Sequence, residues 1–133
     1  MLPLRIKPAE LIEGIYRKYL EEPDTREVVP SYFLGEVGIL LVLWRMTGSP
    51  EAARRLQDAI RENIPNPVNE ALWAAPGTMV GALHMHDWTG EREWQALFLE
   101  NVEQLLDRRI ALFRICRVGR FAFRVDLGPE SSL

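Results

Sequence analysis

Apolar and polar positions alternate along this chain with the period of α-helices, and the pattern switches between two kinds of helix. Leu11, Ile12, Ile15, Tyr16, Tyr19 and Leu20 recur at helical spacing behind Pro8, a first-turn proline, until Pro23 stops the pattern. Arg17, Lys18, Glu21 and Glu22 lie off that stripe, so the first helix is amphipathic and faces solvent on one side. Asp24 to Leu34, with Pro30 inside, reads as a loop. The next helix differs in kind: Val37, Ile39, Leu40, Leu41, Val42, Leu43, Trp44 and Met46 are apolar nearly all the way round, which predicts an inner helix surrounded by others.

Thr47-Gly48 ends that helix, since glycine is the usual residue for a left-handed C-terminal position. Ser49-Pro50-Glu51 starts another at once, with Ser49 as the cap. From Ala52 to Asn63 only Leu56, Ile60 and the alanines form a stripe, while Arg54, Arg55, Gln57, Asp58, Arg61 and Glu62 surround it. That is an outer helix, and Ile64-Pro65-Asn66-Pro67 breaks it. Thr78 to Trp88 is apolar and rich in small residues, a second inner helix in which Gly81 and Ala82 permit close approach to a neighbour. After Gly90, Trp94, Leu97, Phe98, Val102, Leu105 and Leu106 mark a last amphipathic helix. The predicted order is outer, inner, outer, inner, outer. Strand-like alternation is confined to Phe121 to Val125, too short to count.

The chain repeats itself. A glycine turn (Gly35, Gly38) opens the first inner helix, a small-residue turn (Ala74, Gly77) opens the second, and each helix stops at Thr-Gly. Gly38 and Gly77 are 39 residues apart, and Gly48 and Gly90 are 42 apart, a period suited to helix-pair repeats. Glycine at a helix mouth serves close packing; the free N–H groups there could also receive an anion or carboxylate.

The 133 residues make one domain, large enough to bury a core, and no apolar run is long enough to span a membrane. The N-terminus lacks the pattern of a signal peptide, so a cytoplasmic location is expected. Net charge is −3, yet six arginines between Arg108 and Arg124 face only two acids after them, which makes the C-terminal end basic and the rest acidic. Interleaving with Phe113, Phe121 and Phe123 fits single-strand binding only loosely, so neither nucleic acid nor a membrane is an expected partner.

Candidate chemistry is sparse. His84, His86 and the single Cys116 invite a metal reading, but a two-residue separation on a helix points the imidazoles apart, so no metal site is assigned. His84 and Asp87, three apart, form a candidate polar pair. Glu70 stands before the second turn, where a carboxylate can act as an acid or a base, or stabilise a helix start. The four tryptophans read as core. No Ser-His-Asp order, phosphate loop or dinucleotide fingerprint is present.

Gly35-Glu36-Val37-Gly38-Ile39, Asn69-Glu70-Ala71-Leu72-Trp73-Ala74-Ala75-Pro76-Gly77-Thr78 and Leu83-His84-Met85-His86-Asp87-Trp88-Thr89-Gly90-Glu91 resemble successive repeats of the lanthionine synthetase C-like family, over roughly Ser31 to Leu106. The resemblance implies an all-α fold, a partial α/α toroid of helix-pair repeats over 1–107, with a divergent tail over 108–133. It implies a chemistry in which zinc, held by two cysteines and a histidine, activates a peptide cysteine or glutathione thiol for addition to a dehydrated serine or threonine. Glu70 falls at the position of a family acidic residue that lines the active site.

The departures are specific. Ala74 stands where the family has a glycine, Cys116 is followed by Arg117 rather than histidine, and five helices cannot close a ring. The expectation is therefore a truncated relative, inactive alone, holding no cofactor as it stands, and prone to self-association through exposed inner helices. In the full-length family the partner is a peptide or glutathione. The alternative is a small helical-repeat protein-binding module without catalysis. Val125 to Ser131, read one nucleotide later with permitted codons, can spell family-like text, so the tail is expected to be frameshifted.

Overall fold

The computed structural model describes residues 7–118, with side chains from 7 to 109. The expectations placed on Phe113, Cys116 and the segment beyond Val118 lie outside the described side chains. Five helices follow one another: α1 (Pro8–Glu21), α2 (Glu36–Thr47), α3 (Pro50–Asn63), α4 (Ala75–Thr89) and α5 (Arg92–Val118). Their order matches the hydrophobic pattern, and no strand occurs among the described residues. The helix α5 continues across the boundary expected at 107/108 and is 27 residues long. Arginine-rich text there is compatible with helix, because arginine is a good helix former.

Two-residue connectors force α3 back along α2 and α5 back along α4. Both reversals use the same chemistry. Gly48 (φ 65°) and Gly90 (φ 70°) take the left-handed conformation, and their N–H groups donate to the Trp44 and His86 carbonyls at 2.7 and 2.8 Å. Thr47 and Thr89 donate their hydroxyls to the carbonyls of Leu43 and Met85, and accept from the N–H groups of Ser49 and Glu91. Ser49 then caps α3 by accepting from the Ala52 N–H at 3.3 Å.

The core lies between α2, α3 and α4. Leu40 of α2, Leu56 and Ile60 of α3, Met85 of α4 and Trp94 of α5 are fully enclosed, each worth about 1.5–3 kcal/mol of transfer from water. Helix α2 packs against α1, α3 and α4, and α4 packs against α2, α3 and α5; among the described helices α1 packs against α2 alone. Gly81 lets α4 approach closely, since a Cβ there would lie 3.0 Å from Val37 Cγ1. The expectation that α2 is surrounded needs correction. Val42, Arg45 and Met46 are exposed, so one face of an almost wholly apolar helix has no cover. Trp94 is core as expected, whereas Trp73 and Trp88 reach the surface.

The helix starts depend on backbone contact. A Cβ at Gly38 would fall on the Tyr32 carbonyl oxygen, and one at Gly77 on the Ala71 carbonyl oxygen, while Gly14 on α1 has open space around it. Gly77→Ala is expected to cost about 2 kcal/mol, because backbone has to shift. Gly14→Ala should instead stabilise by about 1 kcal/mol through helix propensity. Urea unfolding of the two variants checks both signs, and equal effects would contradict the packing described.

Candidate functional site

Helices α2 and α4 begin in the same way, and their starts are joined. Gly35 and Ala74 are the extended residues before α2 and α4. Each lies three residues before the glycine whose missing Cβ admits a carbonyl oxygen. Ser31 and Glu70, separated by the same 39 residues as the glycines, do equivalent work. Ser31 Oγ accepts from the Leu34 N–H at 3.1 Å, and Glu70 Oε1 accepts from the Trp73 N–H at 2.6 Å. Ser31, fully buried, also donates its hydroxyl to the Leu72 carbonyl, which ties the first turn to the second.

These bonds decide what the sequence left open at the helix mouths. The N–H groups of Glu36 and Val37 donate to the carbonyls of Val29 (3.0 Å) and Ser31 (3.2 Å). In α4, Pro76 has no N–H, and Gly77 donates to Ala74 at 3.0 Å. At these positions the donors are engaged within the turns, and the glycines admit backbone oxygen there. Glu70 Oε2 accepts in addition from the Leu72 N–H at 2.7 Å, so both oxygens of this carboxylate brace the second turn. Asn63 and Asn66 hold the same turn by donating to the Trp73 carbonyl. Arg108, the first residue of the expected tail, clamps the preceding loop by donating to the Ile64 and Asn66 carbonyls.

A fully buried carboxylate stands in the first helix-start motif, and its partner is one of the arginines read as surrounding the apolar stripe of α3. Glu36, the first residue of α2, has a side chain with 0% exposure, and Arg55 of α3 grips it through Nε and Nη2. Tyr16 of α1 donates its hydroxyl to Glu36 Oε2 at 3.1 Å. Arg55, 31% exposed, reaches outward to Glu62 Oε1 at 2.8 Å. Hydrogen bonding to Glu62 and then Glu36 raises the Arg55 pKa further, against the opposing effect of burial. Burial first, and then the Glu36 carboxylate, push the Tyr16 phenol up to about 12. Three helices thus share one carboxylate. The only hint in the sequence was an arginine beside the apolar stripe of α3.

On the opposite side of α2, the uncovered face meets α4 in a groove of about 310 Å³. Gly38, Leu41, Val42, Arg45 and Met46 line it from α2 at one-face helical spacing, His84 and Trp88 from α4, and Tyr32 from the turn. The rings form a ladder. Trp44 lies parallel to Trp88 with centroids 5.9 Å apart, His84 follows at 5.4 Å from Trp88, and Tyr32 at 6.5 Å from His84. His84 Nε2 is 3.5 Å from the Tyr32 hydroxyl, so the histidine turns to Tyr32 and Trp88 rather than to Asp87, which is exposed. His86 points elsewhere, with Nδ1 3.2 Å from the Glu91 carbonyl.

The residues present do not fit the zinc site that the family resemblance would bring. The family's ligand set has two cysteines where this chain has one, and the two histidines diverge on α4. No helix among the described residues is long and apolar enough to cross a membrane. Comparison of the chain with protein-family models, curated proteins and solved structures finds no match.

Arg55→Met should destabilise the protein by about 3 kcal/mol, because Glu36 then keeps a buried charge with its main partner gone. Replacing both residues, as Glu36→Leu with Arg55→Met, should recover most of that loss in chemical denaturation. Tyr16 gives a pH signature. Its proton is held more tightly in the folded state, so its contribution is complete below about pH 10 and is lost as pH rises to about 12. The stability difference between wild type and Tyr16→Phe should shrink over that window; a constant difference would contradict the buried hydrogen bond.

Proposed function

We propose that this chain is a lanthionine synthetase C-like helical-repeat unit, two inner and three outer helices of an α/α toroid, that is not catalytic by itself. The observation that carries the reading is the repetition of one helix start at a 39-residue spacing, with Gly38 and Gly77 each receiving a carbonyl oxygen. A ring of helix pairs needs this feature, since each inner helix must be set at the same angle to its neighbour. The family reaction, thiol addition to a dehydrated residue, needs a thiolate held by a metal, and residues 1–133 do not supply the ligands. Glu70 acts in this reading as a brace for the second turn rather than as an acid or base. A cytoplasmic location, where thiols stay reduced, belongs to the same proposal.

The open face of α2 supports a second reading, a helical-repeat binding module. Val42, Met46, Leu83 and Trp88 leave apolar surface on the two inner helices without cover. Further helix pairs would cover it in a closed ring. In this chain alone a second copy does so.

Two measurements test these readings. Purified protein incubated with zinc, glutathione and a dehydroalanine-containing peptide should give no thioether adduct above a protein-free control by mass spectrometry. Stoichiometric zinc together with a protein-dependent adduct would overturn the non-catalytic reading. Sedimentation velocity should show association that increases with concentration and weakens in Val42→Glu combined with Met46→Glu. A monomer at every concentration would contradict the need for cover.

A further inference from the structure

We infer that the groove between α2 and α4 is a binding site for a small aromatic monocarboxylic acid, with Arg45 pairing the carboxylate and the apolar wall of Leu41, Val42 and Met46 taking the ring beside Trp88 and His84. The inference does not depend on the repeat reading; the groove shares Val42, Met46 and Trp88 with the face that a second copy covers, so the acid binds the monomer and competes with association. The groove's volume, about 310 Å³, is at the small end of ligand pockets, and its lining is mostly apolar with a few convergent polar atoms. Gly38, Leu41, Val42 and Met46 form the wall that α2 contributes.

The polar atoms select the charge of the ligand. Arg45 is the one charged residue in the lining, no carboxylate accompanies it, and it makes no ion pair among the described residues. Its guanidinium carbon lies 5.1 Å from the centroid of the Trp88 ring. A guanidinium placed against an aromatic face keeps its in-plane N–H edge for a planar, bidentate carboxylate. The Tyr32 hydroxyl and His84 Nε2 lie 3.5 Å apart on the groove wall, and with His84 donating to the Tyr32 oxygen the Tyr32 O–H is left as one donor for an anion. A single fixed cation matches a single negative charge, so a monocarboxylate fits better than a phosphate dianion. An organic cation would meet Arg45 unfavourably.

The test uses three probes of one shape: 3-phenylpropionate, the neutral 3-phenylpropanol and the cationic 3-phenylpropylamine. Each is titrated into dilute monomeric protein and followed by two-dimensional NMR and tryptophan fluorescence. The acid should bind saturably, shifting the Trp88 indole and His84 ring signals, more tightly than the alcohol and far more tightly than the amine. Arg45→Gln should weaken the acid roughly tenfold and leave the alcohol unchanged, a discrimination of about 1.4 kcal/mol. Trp88→Leu should weaken both, and Arg54→Gln, on the outer helix, should change neither. Equal binding of acid and amine, or acid binding unaffected by Arg45→Gln, would overturn the inference. So would acid-induced shifts confined to residues away from the groove.

Discussion

Contact of backbone with backbone at the starts of α2 and α4 sets the geometry of this protein. The Tyr32 and Ala71 carbonyl oxygens occupy the space that a side chain at Gly38 or Gly77 would fill. Each helix therefore leaves its turn in a direction that few other residues could allow. The Ser31 hydroxyl carries the constraint from one start to the next by donating to the Leu72 carbonyl. Helices α2 and α4 consequently run side by side, with Gly81 against Val37, and α3 packs across both.

The two sides of α2 then take opposite roles. Toward α1 and α3 it presents Glu36, a carboxylate removed from water and satisfied by Arg55 and Tyr16. A buried ion pair adds little net stability compared with a well-packed apolar group, but it penalises any arrangement that separates the partners. It specifies how α1, whose one neighbour among the described helices is α2, docks. Toward the open side, α2 and α4 present the aromatic ladder and the Arg45 guanidinium. The groove is thus a consequence of the glycine-backed helix starts, since shifting either helix would separate Trp44 from Trp88.

Much of the fold was legible because helix boundaries here are written in local chemistry. Pro8 and Pro50 stand at helix starts, Gly48 and Gly90 at ends, and the polar stripe identifies α3 and α5. The repeat was legible too, since Thr-Gly and the small-residue turns recur. The site was less so. Arg55 looks like its exposed neighbour Arg54 in sequence, and only the packing of α3 against the start of α2 distinguishes them. Glu70 looked chemical because it is acidic beside a turn, yet its counterpart is Ser31, and both are occupied with backbone N–H groups. An apolar helix such as α2 reads as enclosed, because periodicity reports no face when nearly every position is apolar.

Native-state hydrogen exchange at the N–H groups of Glu36, Val37 and Gly77 tests the central claim most directly, because these bonds close the two helix starts. If both starts belong to one cooperative structure, the three amides should exchange with the same opening free energy as the interior of α3. Exchange of either start through a separate, lower-energy opening, with α3 still protected, would show that the two helix mouths are not a single locked unit.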